Sequence, residues 1–159
     1  MELFKQYFVP WLISNIAAVV ILLAALWKPK IARILFALLF GWACWMNYTT
    51  AHNNPADYLT YAAITPFGFY RDFINGWFSA HVTTMVTLIS IGQGLIAIGM
   101  LSKGMLVQLA CIGAIIFLMA IAPLGIGSGF PFSITASIAA YIIWRRDDMN
   151  YVWRFKKSI

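Results

Sequence analysis

The chain has 159 residues, 62% of them hydrophobic and only 10% charged, with a formal net charge of +6. A soluble domain is nearer half apolar and a quarter charged, and the few charges here leave uncharged runs at 6–27, 34–56, 73–102 and 104–144. A bilayer span needs about 20 apolar residues, so these runs argue against a soluble enzyme, a nucleic-acid-binding domain and a disordered tail. They point instead to one transmembrane domain covering 1–159.

The first expected span runs from about Phe8 to Trp27, with Pro10 near its start and Lys28, Pro29 and Lys30 ending it. Lys5 ahead of an apolar stretch also begins a signal-peptide pattern. Glu2 weakens that basic region, however, and no small-x-small site precedes Lys28, so the segment is read as a retained span. The second span is expected over about 31–47, the third over 82–101, the fourth over 105–122, and a short fifth over 131–144.

Charge then orients the helices. In a five-span arrangement Lys28, Lys30, Arg33, Lys103, Arg145, Arg146, Arg154, Lys156 and Lys157 share one side, while Lys5 and Arg71 fall on the other. Lys/Arg-rich flanks stay cytoplasmic, which predicts an outside N-terminus and a cytoplasmic C-terminus. The basic tail RRDDMNYVWRFKK also suits anionic lipid head groups. Cys44 and Cys111 lie within spans, form no Cys-x-x-Cys pair and read as small packing residues.

The long connection 48–81 falls on the outer side. Asn54, Pro55, Ala56 and Asp57 have the form of a helix start, and Thr65 and Pro66 repeat it. The second short helix is expected to end at Asn75–Gly76 in a left-handed cap. Within it Phe67, Tyr70, Phe73, Ile74 and Trp77 recur at three- and four-residue spacing, the pattern of an amphipathic helix lying at the head-group level. Such a helix caps the bundle or roofs a cavity open to the outer leaflet. Tyr48, His52, Asn53, Asn54, Asp57, Tyr70, Arg71, Asp72 and His81 are its candidate polar groups.

Inside the spans, Thr83, Thr87, Ser90 and Gly94 line one face of the third helix, where small and hydroxyl residues favour close helix packing. Gln93 lies near mid-membrane and needs a partner; Asn15 is similar but nearer the outer surface. Between the fourth and fifth spans, PLGIGSGFPFS carries Gly125, Gly127 and Gly129 at spacing two before Pro131. This turn leaves amides free for an anion or head group. No phosphate-loop Lys-Ser/Thr follows, so nucleotide binding is unsupported.

A metal site would have to use His52, His81, Asp57 and Asp72, which lack the spacing of a readable ligand motif. Haem ligation by His52 and His81 lacks an attachment or paired-helix signal. No hydrolase triad is placed, and the span interiors hold none of the acids or bases that an ion-coupled carrier normally uses. A quinone or lipid site needs only an apolar cavity and a polar group or two. Its candidate residues are Gln93, His81, Tyr70, Arg71, Asn15 and Trp77.

The order of features in 31–144 resembles the DoxX-like family of small bacterial membrane proteins. The resemblance lies in RILFALLFGWACWMN from Arg33, the segment FGFYRDFINGW, and IGQGLIAIGMLSKGMLVQLACIGAIIFLMAI with Gly99 and Lys103 in its turn. It implies a four-helix core, to which the first span is an addition, and an accessory membrane subunit, associated in some members with sulfur- or quinol-linked oxidoreductases. Two departures qualify it: no Lys follows Gly41 up to Asn47, and Gln93 stands where relatives often carry an acid.

The expectation is therefore an all-α polytopic bundle of five helices in a bacterial inner membrane, non-catalytic, partnering other membrane subunits or a second copy. It would hold a lipid- or quinone-like group under its outer cap. A metal- or haem-binding oxidoreductase subunit and a small-solute carrier are the alternatives.

Overall fold

The structure, a computed structural model, describes residues 2–154, with side chains from residue 8 onward. Lys156 and Lys157, and the side chains of Glu2 and Lys5, lie outside the described residues. Every described element is helical. The long helices are α1 (Glu2–Trp27), α2 (Pro29–Asn53), α5 (Val82–Leu101) and α6 (Met105–Ile121), joined by the shorter α7 (Phe132–Arg146). Between α2 and α5 come a 3-10 turn (Pro55–Thr60), α3 (Tyr61–Ile64), α4 (Gly68–Phe73) and a π-helical turn (Ile74–Phe78). A second 3-10 turn, Ala122–Ser128, joins α6 to α7.

Among the described residues four segments are long and apolar enough to cross a membrane: Phe8–Trp27, Pro29–Asn53, Val82–Leu101 and Met105–Ser128, with mean hydropathies between 1.4 and 2.6. The expected fifth span is α7, whose 15 residues reach roughly 22 Å at about 1.5 Å per residue. It is packed against α1, α6 and α2. The second span proves longer than expected: the helix continues beyond Asn47 through YTTAHN to Asn53, because its last turns pack on the start of α5, with Ala51 fully buried beside Val82 and Val86.

Neighbouring helices form a ring, α1–α2–α5–α6–α7 and back to α1. Small residues line its inner faces. Ala18 and Ala25 of α1, Ala110, Cys111 and Ala114 of α6, and Ala136, Ala139 and Ala140 of α7 are all buried. Lipid tails are as apolar as leucine, so between membrane helices the gain comes from close van der Waals contact, which small residues permit. The outward faces carry the bulk: Leu38, Leu95, Ile98 and Ile116 are each about two-thirds exposed. The tightest crossing is at Gly99, where a Cβ would lie 2.8 Å from Ala110 Cβ and 3.0 Å from the Leu106 carbonyl.

At the basic end the ring is fastened by Arg33. Its side chain is fully buried in the second turn of α2. Nε donates to the Met100 carbonyl (2.8 Å) and Nη2 to the Ser102 carbonyl (2.6 Å), while Nη1 reaches both Asp147 Oδ1 and the Asn150 carbonyl at 2.7 Å. One guanidinium thus ties the start of α2 to the ends of α5 and α7. Asp147 Oδ1 also accepts the Met149 amide (2.7 Å), and the Met149 carbonyl receives the Gly104 amide (2.7 Å). Nearby, Lys30 pairs with Asp148 at 3.2 Å and donates to the Arg154 carbonyl. Desolvation works against the Asp148 carboxylate, but hydrogen bonds from Asn150 and Lys30, together with the Lys30 charge, hold its pKa below the usual value.

The close crossing makes a simple prediction. Gly99→Ala forces backbone and Ala110 apart and costs about 1–3 kcal/mol, the usual cost of overpacking. Thermal unfolding of the purified protein in detergent reads this as a lowered midpoint; an unchanged midpoint would mean that α5 and α6 are not so close.

Candidate functional site

The candidate site is the end of the bundle opposite Arg33, where residues 54–81 and the 122–131 turn cover the helices. Its innermost polar group is Gln93, buried on α5. The partner it requires is Asn47 of α2, whose Nδ2 donates to Gln93 Oε1 at 2.9 Å. Asn47 in turn accepts Tyr58 Oη–H, at 2.9 Å on Oδ1 and 3.2 Å on its carbonyl. A polar chain therefore runs from the first 3-10 turn to the middle of α5. Burial first, then the Tyr61 and Asp57 charges, push the Tyr58 phenol up to about 12 against an opposing hydrogen bond with Thr50. The group stays neutral and donates.

The hydroxyl stripe on α5 divides its hydrogen bonds between its own helix and α2. Thr87 and Ser90 bond back to carbonyls of their own helix (2.6 and 2.8 Å); Thr83 reaches across, to the Ala51 carbonyl at 3.1 Å. Small size still matters, since a Cβ on Gly94 would come 3.2 Å from Cys44 Sγ.

The cap is locked to the 122–131 turn from both sides. Thr65 Oγ1 donates to the Pro123 carbonyl (2.9 Å) and Tyr70 Oη to the Ala120 carbonyl (2.7 Å). From α1, Asn15 Nδ2 donates to the Gly129 carbonyl (2.9 Å) and Trp11 Nε1 to the Phe130 carbonyl (2.7 Å). Arg71 stays within the cap, on the carbonyls of Ala62 (3.3 Å) and Thr65 (3.4 Å). The glycines permit this closure. Gly125 and Gly129 take positive φ (66° and 71°), and a Cβ on Gly127 would sit 2.5 Å from the Tyr61 ring. Two amides of the turn, on Gly129 and Phe130, are consumed by the Ile126 and Gly125 carbonyls (3.0 Å each).

Two local expectations are corrected. Gly76 forms no left-handed cap: with φ −93° and ψ −111° it kinks the segment, which runs on as a π-helical turn to Phe78. Asn54 stands at the start of the first 3-10 turn but makes no side-chain cap, and the second short helix begins at Gly68 with Phe67, not Thr65, before it.

Six residues are expected from the sequence to line one ligand site: Gln93, His81, Tyr70, Arg71, Asn15 and Trp77. Gln93, Asn15, Tyr70 and Arg71 spend polar atoms on other parts of the protein. His81 and Trp77 remain together at the surface, rings 4.4 Å apart and 17° from parallel. Beside them opens a recess of about 330 Å³ lined by His81, Ala56, Leu59, Ser79, Thr83 and Thr84. His81 Nδ1 faces the Trp77 carbonyl at 2.8 Å. A carbonyl only accepts, so Nδ1 carries the hydrogen and neutral His81 keeps its Nε2 lone pair. His52 repeats this arrangement on the Tyr48 carbonyl (2.8 Å). Among the described residues no three of His, Cys, Asp and Glu gather to hold a metal ion, so His52, His81, Asp57 and Asp72 do not form the four-residue site considered from sequence. The known protein families, characterised proteins and solved structures compared with this chain give no match.

Asn47 and Tyr58, absent from the sequence-based candidates, are needed to satisfy Gln93. Gln93→Ala removes the bond that joins α2 to α5 at mid-helix and costs about 1 kcal/mol, the scale of interhelical hydrogen bonds in membranes. His81→Ala, which removes a surface ring, changes stability by less than about 0.5 kcal/mol. Unfolding midpoints of the two variants check the contrast, and an equal loss in both would contradict it.

Proposed function

We propose that the chain is an accessory, partner-binding subunit of a bacterial inner-membrane complex, with five crossing helices, its N-terminus outside and its C-terminus cytoplasmic. The charge bias supports this orientation: Lys28, Lys30, Arg33, Lys103, Arg145, Arg146 and Arg154 belong to one end of the ring and Arg71 to the other. The observation that carries the partner-binding reading is the division of labour in the outer cap. Its polar side chains hold the cap to the bundle, whereas Phe67, Phe69, Phe73 and Trp77 are 55%, 78%, 39% and 53% exposed. Aromatic side chains supply large contact areas at interfaces. On this reading the chain has no catalytic role of its own.

A lipid- or quinone-like group on this reading lies in the recess beside His81, with the His81 ring, backed by Trp77, on one side and Ser79 and Thr83 as polar contacts. The resemblance to DoxX-like proteins favours a redox or envelope complex as the setting.

A photoreactive amino acid at position 69 tests partner binding in intact membranes. Discrete protein adducts, lost when Trp77 and Phe73 are changed to Ala, are the expected result; adducts to lipid alone would refute it. Impermeant thiol labelling of Asn75→Cys but not Lys103→Cys in intact cells is expected from the orientation, and the reverse pattern would overturn it.

A further inference from the structure

At the basic end the described acids are used up. Asp147 is bound by Arg33 at 2.7 Å and Asp148 by Lys30 at 3.2 Å. Lys28, Lys103, Arg145, Arg146 and Arg154 are exposed, and none has a carboxylate within 4.0 Å among the described residues. Three of them converge on the α1–α2 hairpin. Arg146 Nη1 reaches back to the Leu26 carbonyl at 3.5 Å, two residues before Lys28. Arg154 is drawn in because Lys30 donates to its carbonyl.

This cluster has an apolar border. Trp27, next to Lys28, is 75% exposed, and Trp153, next to Arg154, is 64% exposed. Indole rings settle at the head-group level of a bilayer. Leu23 and Leu26, on the last turns of α1, are also exposed on the membrane side of the cluster. Uncompensated cations ringed by indoles, at the end of apolar helices, match a phosphate head group with acyl chains below it.

We propose that Lys28, Arg146 and Arg154 form a binding surface for the head groups of anionic phospholipids in the leaflet at this end. Lys30 and Arg33, already neutralised, hold the hairpin and the 147–154 segment in place so that the three free cations stay together. Near a membrane surface each such cation favours an anionic lipid by about fivefold. The neighbouring aromatic groups fix the depth at which the phosphate meets them.

Native mass spectrometry of the full chain, released from nanodiscs containing equal parts phosphatidylglycerol and phosphatidylcholine, tests this. Retained lipid is expected to be enriched at least about fivefold in phosphatidylglycerol. In the triple variant Lys28→Gln, Arg146→Gln, Arg154→Gln the enrichment falls to near parity, while Lys103→Gln with Arg145→Gln keeps most of it. If the triple variant is not recovered from membranes, the three single substitutions carry the same test, each lowering enrichment severalfold. Absence of enrichment in the unmodified protein, or an equal loss in the Lys103/Arg145 variant, would overturn the assignment. So would displacement of the bound lipid by millimolar inorganic phosphate, which would mark a free-phosphate site instead.

Discussion

A fully buried guanidinium at the start of α2 is the constraint on which the basic end of this bundle depends. Arg33 donates to three carbonyls and one carboxylate drawn from the ends of α5 and α7 and the segment that follows. Burying an arginine is expensive unless its charge is paired and its donors are filled. Here the charge is paired with Asp147 and four of the five N–H donors are bonded, three of them to the carbonyls of Met100, Ser102 and Asn150. Those carbonyls terminate helices or follow them, where backbone acceptors are otherwise unpaired. One side chain therefore satisfies several orphan acceptors while fixing how three helices meet. The other carboxylate oxygen, Asp147 Oδ2, is buried with no hydrogen-bond partner among the described residues.

The opposite end is held by a different device. There, neutral side chains donate to carbonyls of the 120–130 stretch from both flanks: Tyr70 and Thr65 from the cap, Asn15 and Trp11 from α1. Glycines at 125, 127 and 129 let the backbone approach closely enough to be reached. The consequence for function is that polar atoms which seemed free to meet a ligand are engaged in closing the bundle, and the surface offered outward is aromatic. The proposed partner-binding role rests on that aromatic surface.

Much of the architecture was legible in residue order. Uncharged runs located the helices, because a charge within a span is costly and therefore sits at its ends. The small and hydroxyl residues of α5, and Cys111 on α6, pointed to close packing. Legibility failed where a residue's role depends on distant partners. Arg33 reads as one more charge at a helix end, and only the meeting of α2, α5 and α7 makes it a fastener. Gln93 announced the need for a partner but could not name Asn47, 46 positions earlier. The extra turns of α2 were hidden by their polar sequence, YTTAHN, which tertiary packing against α5 overrides. Gly76 looked like a helix cap, yet a glycine within a helical run can equally mark a kink.

A double-mutant cycle on Arg33 and Asp147 reaches the heart of this account. The measurement is the unfolding free energy, in a reversible detergent system, of Arg33→Met, Asp147→Asn and the pair together. Arg33→Met alone strands a buried carboxylate and is expected to cost about 3–5 kcal/mol, with the double variant recovering a substantial part of that loss. Strictly additive losses, or an Arg33→Met change within about 0.5 kcal/mol of the unmodified protein, would contradict the claim that this ion pair fastens the bundle.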